Sequence, residues 1–369
     1  MDIDNQFGFE IDFLPVGEGM KSGDAICLRW GRLGVPDEQY VMVVDGGFAV
    51  NAKAIVDHLR HYYKTATIDY AVVSHPHADH MNGIKAMLED EVTRVSVDNL
   101  LMIDPMGHIK IDEFNVKSLK VSSVRRRLES DLSTAKEILQ LAKKNKITHY
   151  EPFADWDEVD LGFGVRMRVL NPTKAYYEEL LASFTSTPTK GDRDGSGRLQ
   201  YTGGQIDATK ATLTDEGETS AENDASIVLC LTLPSCEIIL LTGDAGIDAL
   251  NRSASKAMKC GINLAENIRI FKVPHHGSIQ NLGETVLDEI VGDFKISKSR
   301  SNAYAMIMVS KNPAKGHPDK TVTNALWERN CVPYKTGGDI LCYSIGKCPS
   351  RGWKPAESIK YYPKVDAVK

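Results

Sequence analysis

The apolar run IDYAVVS, from Ile68 to Ser74, ends directly on the string HPHADHMNG, and no other junction limits the fold as much. Its length suits a buried strand, and the apolar spacing of IKAMLEDE after the polar string is helical. A strand, a loop and a helix in that order hold side chains at a strand's C-terminal end, where α/β folds carry their sites. The pattern recurs along the chain. YVMVVDGG brings Asp45 to a strand exit, the two strands of SIVLCLTLPSCEIILLTGDAG bring Asp244, and IRIFKV runs into PHHGS. EIDFLPV, DAICLRW and VRMRVLNP read as further strands. Residues 52–63 have Ile55, Leu59 and Tyr62 on one helical stripe, and 117–146 read as one or two charged amphipathic helices. A hairpin around TGGDILCYS is expected to close the ordered part.

Five of the ten histidines fall in two short clusters, His75, His77 and His80, then His275 and His276. On an extended segment His75 and His77 project to one side and can share an ion. Asp79 and His80 follow and face a second ion. Asp244, at a strand end, could bridge the two, and either His275 or His276 could complete the ligand set of the second ion. Imidazoles and carboxylates without thiolates fit an open site for Zn²⁺, Mn²⁺ or Fe²⁺ better than a structural zinc cage.

Cysteine usage agrees. The seven cysteines are scattered with no CxxC pair, which argues against a thiolate zinc site and a disulfide framework, and they read as buried reduced thiols. No stretch of 18 apolar residues occurs and the first residues carry acids where a leader needs basic ones, so the expectation is a cytoplasmic chain with no membrane partner. A net charge of −6 argues against a protein that coats nucleic acid, so an anionic substrate would have to be attracted locally. Residues 183–222 are rich in Thr, Ser, Gly and Asp with few large apolar side chains, which reads as a flexible insertion or a lid.

VSHPHADH resembles the HxHxDH motif of the metallo-β-lactamase fold, with VVDGG and LLTGDAG similar to its flanking acidic motifs. Within that superfamily the chain looks most like the hydrolase domain of the DNA-uptake protein ComEC and its stand-alone relatives. Val16 to Ala25, VGEGMKSGDA, is similar to that group's opening motif with four extra residues. ENDASIVL from Glu222, KVPHHGS from Lys272 and GHP from Gly316 are further matches. The resemblance implies a four-layered αββα sandwich in one domain over 1–345, followed by a tail over 346–369. It implies two divalent ions, zinc or manganese with magnesium as an alternative, held by His75 and His77, by Asp79 and His80, and bridged by Asp244. Many superfamily members place a third histidine on the first ion. Here only His108 and His149 lie in that interval, neither just before the Asp244 strand, and the slot carries Asn223 and Ser226, with Asp224 beside them.

Two ions in such a site lower the pKa of a bridging water and neutralise charge on a phosphoryl or carbonyl oxygen. No GxSxG elbow suggests a serine nucleophile. Asp45 is expected to orient a ligating histidine. His317, or whichever of His275 and His276 is not a ligand, is a candidate proton donor to the leaving group. Ser278 and the backbone N–H groups near Gly277, if these open a helix, are candidate oxyanion partners, and Lys272 a supporting or substrate-facing cation. The ComEC-like resemblance implies a phosphodiesterase or nuclease acting on DNA, RNA or a nucleotide. Arg125, Arg126 and Arg127 with Lys117 and Lys120, and Lys295, Lys298 and Arg300, are the positive patches that could line a path for it. A small ester, thioester, lactone or cyclic nucleotide is the alternative substrate. A non-catalytic metal-binding subunit is the alternative of another class. A protein partner or a homo-oligomer leaves no mark on the sequence.

Overall fold

The structure is a computed structural model and describes residues 6–89, 95–108, 122–184, 201–208, 211–293 and 303–368. Its frame is two seven-stranded sheets. The first contains β1 (Gly8–Phe13), β2 (Ile26–Gly31), β3 (Gln39–Val44), β4 (Thr67–Val72), β5 (Ser96–Leu101) and β6 (Thr148–Tyr150) side by side. The second contains β7 (Val159–Asp160), β8 (Arg166–Asn171), β9 (Val228–Thr232), β10 (Ile238–Leu241), β11 (Ile268–Lys272), β12 (Ala303–Ile307) and β13 (Cys331–Lys335). The chain then returns to the first sheet, where β14 (Leu341–Gly346) pairs antiparallel with β1. Each sheet has an antiparallel portion and a parallel portion, β3 to β6 in one and β10 to β13 in the other.

Strand alternation creates the layers. Leu229, Leu231, Ile239, Leu241 and Ile270 enter the core that also holds Phe9, Ile11, Leu28 and Trp30 of the first sheet. Their neighbours Val228, Cys230, Ile238, Leu240 and Phe271 enter a second core. That second core is completed by α6 (Ile247–Lys259), α7 (Glu284–Val291) and α8 (Lys320–Glu328) through Leu250, Leu287 and Leu326. On the first sheet's side, α1 (Ala52–His58), α2 (Ala78–Glu89) and α3 (Ser122–Lys144) contribute Ile55, Ile84 and Leu132. Side chains of this size stabilise by roughly 1.5–3 kcal/mol each when fully buried. Both sheets are therefore covered on both faces, which is the αββα sandwich.

Three features differ from the sequence expectation. The TGGDILCYS segment is not a hairpin, because β13 and β14 are edge strands of different sheets and the chain crosses the sandwich between them. Gly337 and Gly338, at φ 54° and 106°, make the turn that a hairpin would also have used. Helix α2 starts at Ala78, inside the histidine motif, with Asp79 in its first turn, where a carboxylate complements the helix dipole. Cys27, Cys230 and Cys331 are buried free thiols, whereas Cys236 is exposed.

Of the span 183–222, Ser183 ends α4 (Lys174–Ser183) and 185–200 lie outside the described residues. Tyr201–Asp207 forms a strand that pairs antiparallel with Lys364–Val368 beyond residue 346. Leu213 is buried in the second core, and Ser220 caps α5 (Ala221–Asp224). Among the described residues no helix is long and apolar enough to cross a membrane.

Candidate metal centre

The site lies where the C-terminal ends of parallel strands from both sheets meet. From the first sheet, β3 delivers Asp45 and β4 delivers Ser74 to His77. From the second, β10 delivers Asp244 and β11 delivers Lys272 followed by His275 and His276. Backbone strain marks three of these positions: Asp45, His275 and His276 have φ of 59°, 44° and 58°, in the left-handed region that non-glycine residues rarely enter.

The DGG turn and α2 lock together. Gly46 N–H donates to His80 O at 2.7 Å and Gly83 N–H to Gly47 O at 2.9 Å. A Cβ at Gly83 would come within 1.8 Å of Gly46 O, so only glycine permits this approach. The contact sets Asp45 against His80. Asp45 accepts hydrogen bonds from Ser74 N (2.8 Å) and Ser74 Oγ (2.7 Å), and its Oδ2 lies 2.8 Å from His80 Nδ1. That carboxylate holds the proton on Nδ1 and leaves His80 Nε2 facing the centre.

The inward-facing atoms converge. His75 Nε2 and His77 Nδ1 are 3.0 Å apart. Asp244 Oδ2 is 3.3 Å from His80 Nε2 and 4.0 Å from His75 Nε2. Asp79 Oδ2 is 4.0 Å from His80 Nε2 and 3.9 Å from His276 Nε2. Donors at about 2.1 Å from a tetrahedral ion lie about 3.4 Å from one another, so these separations suit ligands around shared cations. His75, His80 and Asp244 form one such group, and Asp79, His80 and His276 another.

The choice between the adjacent histidines follows from their ring partners. His276 Nδ1 is 2.8 Å from the Met308 carbonyl, which fixes its proton there and turns Nε2 inward. His275 Nδ1 instead lies 2.9 Å from Asn281 Oδ1, and Asn281 also donates to the Asp244 carbonyl at 3.0 Å. His275 belongs to the support of the site, His276 to its inner face.

Titration follows the geometry. Burial, with His80 and His77 as neighbours, holds His75 well below the usual imidazole range, and burial together with Arg127 lowers His77 to about 3. Burial works against protonation of His80 too, but the Asp244 and Asp45 carboxylates outweigh it and raise its pKa well above normal. His276 is raised against burial by Asp79 and Asp244. The carboxyls of Asp79 and Asp244 are lowered despite burial, chiefly by His276 and His80 for the first and by His80, His275 and Lys272 for the second. Protons on His80 and His276 thus stand where divalent cations would replace them, so metal uptake releases protons.

The remaining sequence candidates surround this core. Asn223 Nδ2 donates to Thr219 Oγ1 at 2.8 Å, and its buried Oδ1 has no hydrogen-bond partner among the described residues. Ser226 Oγ accepts from Asp244 N at 3.1 Å and so anchors the bridging candidate. Asp224 turns away to accept from Gly246 N at the start of α6, and burial with Asp248 nearby pushes its carboxyl up to about 7. Ser278 Oγ accepts from Gln280 N at 3.2 Å. The PHHG segment is a tight turn, with the next helix beginning only at Glu284, so Gly277 N–H opens no helix. His317 packs 5.7 Å from the His275 ring and 6.2 Å from His276, and burial with these neighbours lowers it to about 3. His108 pairs with Glu151 and His149 with the Met102 carbonyl, so neither joins the centre. Arg127 lies near His77 and reaches to 3.9 Å from Glu222. Lys117, Lys120, Lys295, Lys298, Arg300 and the Arg125 side chain fall outside the described residues.

Sequence reasoning missed Asp24. It is fully buried, forms an ion pair with Lys272, and lies 3.6 Å from His276 Nδ1 and 3.9 Å from His80 Nδ1. Its place in VGEGMKSGDA, directly before a buried strand, was the available signal.

Comparison with known proteins agrees with this construction. The Metallo-beta-lactamase superfamily matches residues 35–293, and the chain belongs to that superfamily. Fold and site together define a metal-dependent hydrolase. A solved metallo beta lactamase from Hirschia baltica is similar over 76% of this chain and 96% of its own, at 12% identity and a TM-score of 0.30. None of the curated proteins matches the chain.

Proposed function

We propose that the protein is a phosphodiesterase of ComEC-like type, cleaving DNA, RNA or a nucleotide with two divalent ions. His75, His77 and Asp244 would hold the first ion, and Asp79, His80, His276 and Asp244 the second. The observation that carries the reading is the convergence of His75 Nε2, His77 Nδ1, His80 Nε2 and His276 Nε2 on the Asp79 and Asp244 carboxylates. Four imidazoles fit Zn²⁺ or Mn²⁺ better than Mg²⁺, which prefers oxygen donors. Bound there, such ions supply an activated water and neutralise a phosphoryl oxygen.

The chain's own residues do the rest. Asp45 orients His80, Ser226 anchors Asp244, and the Met308 carbonyl orients His276. His317 stays neutral at pH 7 and offers a ring N–H beside His275 and His276 to a leaving oxygen. Arg127, next to His77, supplies positive charge at the rim of the centre. The phosphate preference is supported by the GDA, HHGS and GHP motifs and by this cation.

Incubation with plasmid, single strands, RNA and bis-p-nitrophenyl phosphate across Mn²⁺, Zn²⁺ and Mg²⁺ tests the reading. Metal-dependent diester cleavage, lost in the Asp79→Ala, His80→Ala double variant, is the expected outcome. Turnover confined to neutral esters, thioesters or lactones would replace the phosphodiesterase with the small-substrate hydrolase. Bound metal with no turnover would leave a metal-binding subunit.

A further inference from the structure

Lys272 ends β11 with its side chain fully buried beside the metal centre. Its ammonium has three neighbours: the Asp24 carboxylate, Gly243 O at 2.6 Å and Asp244 Oδ1 at 3.5 Å. An ammonium has three N–H donors, so these acceptors saturate it and it has none left for a substrate. The two oxygens of Asp244 are thereby divided. Oδ1 faces Lys272, and Oδ2 faces His80 and His75.

We propose that Lys272 and Asp24 act as a positioning pair that presents a single oxygen of Asp244 to both ions and so sets two-ion occupancy. The inference rests on the metal centre proposed above. A buried ion pair is often no more stabilising than apolar residues of the same size, so burial alone gives no reason for a lysine here. Charge gives one. Asp24, Asp45, Asp79 and Asp244 place four carboxylates around the centre against the one buried ammonium, with Arg127 at the rim offset by Glu222 at 3.9 Å. With neutral imidazoles the surplus is three negative charges; one divalent ion leaves the site negative, and two make it positive by one. Lys272 therefore makes the second ion the step that turns the site attractive to an anion. Without it, two ions would only cancel the carboxylates. Asp24 keeps the ammonium from lying wholly on Asp244, where it would compete with the ions for that carboxylate.

The test compares Lys272→Met, Asp24→Asn and the Asp24→Asn, Lys272→Met double variant with wild type. Bound ions per chain and their affinities are measured by elemental analysis and chelator competition, alongside melting temperatures with and without metal. Lys272→Met leaves Asp24 unpaired and should melt well below wild type. The double variant removes both charges and should recover most of that loss, yet bind the second ion at least about 10-fold more weakly. Asp24→Asn, which keeps size and an acceptor oxygen, should fold and show a loss of the same order. Wild-type second-ion affinity in the double variant or in Asp24→Asn would overturn the proposal and reduce the pair to a structural tie. A wild type that binds no divalent ion would instead overturn the metal centre itself.

Discussion

Beneath α1, Glu10 and Asp12 of β1 meet Arg29 of β2 and Arg351 from beyond β14, while at the metal centre Asp24, Asp45, Asp79 and Asp244 surround four histidines with one buried ammonium among them. The first group is closed. Arg29 Nε bonds Glu10 at 2.6 Å, Arg351 bonds Glu10 at 2.7 Å and Asp12 at 2.8 Å, and Tyr63 Oη donates to Asp12 at 2.6 Å. Two carboxylates balance two guanidiniums, and His58 fills a further acceptor position of Asp12 at 3.0 Å. The second group is open, since its carboxylates outnumber its permanent cation and its imidazole nitrogens face one another. Polar burial alone does not mark a functional site. Unbalanced charge and donors that converge on one point do.

Breaking each cluster should therefore have different signatures. The largest effect is expected for Asp244→Asn, which removes the shared carboxylate: turnover should fall by about 10⁴-fold, roughly 5.5 kcal/mol, and the metal-dependent rise in melting temperature should vanish. Retained activity would sink the assignment of the centre. Asp12→Asn breaks the closed group and leaves Arg351 and His58 short of a partner. It should cost about 3–5 kcal/mol of stability, equally with metal and with chelator, as read by denaturant melts.

Metal itself should separate the clusters next. Chelation of wild type should remove about 3 kcal/mol at an ion concentration near 100 times the dissociation constant, whereas Asp244→Asn should show no such loss. Gly83→Ala tests the link between the DGG turn and α2. It forces backbone apart next to Asp45 and His80, so it should cost roughly 1–3 kcal/mol and weaken ion binding, seen by elemental analysis. Normal metal content would show that Asp45 tolerates the shift.

The smallest effect is a pH dependence. Burial raises the Asp12 carboxyl, but His58 and Arg351 outweigh it and bring it down to about 2 from an ordinary 3.8. A depressed folded-state value means that the stabilisation is complete above the unfolded value and is lost as pH falls through the folded one. The gap between wild type and Asp12→Asn should therefore narrow by about 2 kcal/mol between pH 4 and pH 2. A gap constant with pH would show that Asp12 acts through shape alone.

Much of the open cluster was legible in the sequence because strand exits, glycine turns and histidine spacing are local signals. Asp45, His75, His77, Asp79, His80 and Asp244 each follow an apolar run that marks its own end. Asp24 carried only its place before a buried strand as a signal, since what puts it in the site is contact with Lys272, far along the chain. The choice of His276 over His275 depended on left-handed backbone angles and on the Met308 carbonyl, neither visible in HHGS. The closed cluster left no trace, because Glu10, Asp12 and Arg29 sit within strands whose alternation looks like ordinary polar and apolar faces. The β13 to β14 segment was misread because a hairpin and a crossing between sheets use the same glycine turn.

The pairing of β1 with β14 has a consequence for how the chain is made. Gly8 lies opposite Gly346 and Phe13 opposite Leu341, so one of the earliest strands waits for one of the last. Contacts so distant in sequence are slow to form, and an unpaired strand flank is a template for association with other chains. Every residue of the metal centre, from Asp24 to His276, is synthesised before that flank is covered. During synthesis the nascent chain would therefore carry its metal-binding side chains and an open sheet edge together until β14 arrives to cover β1.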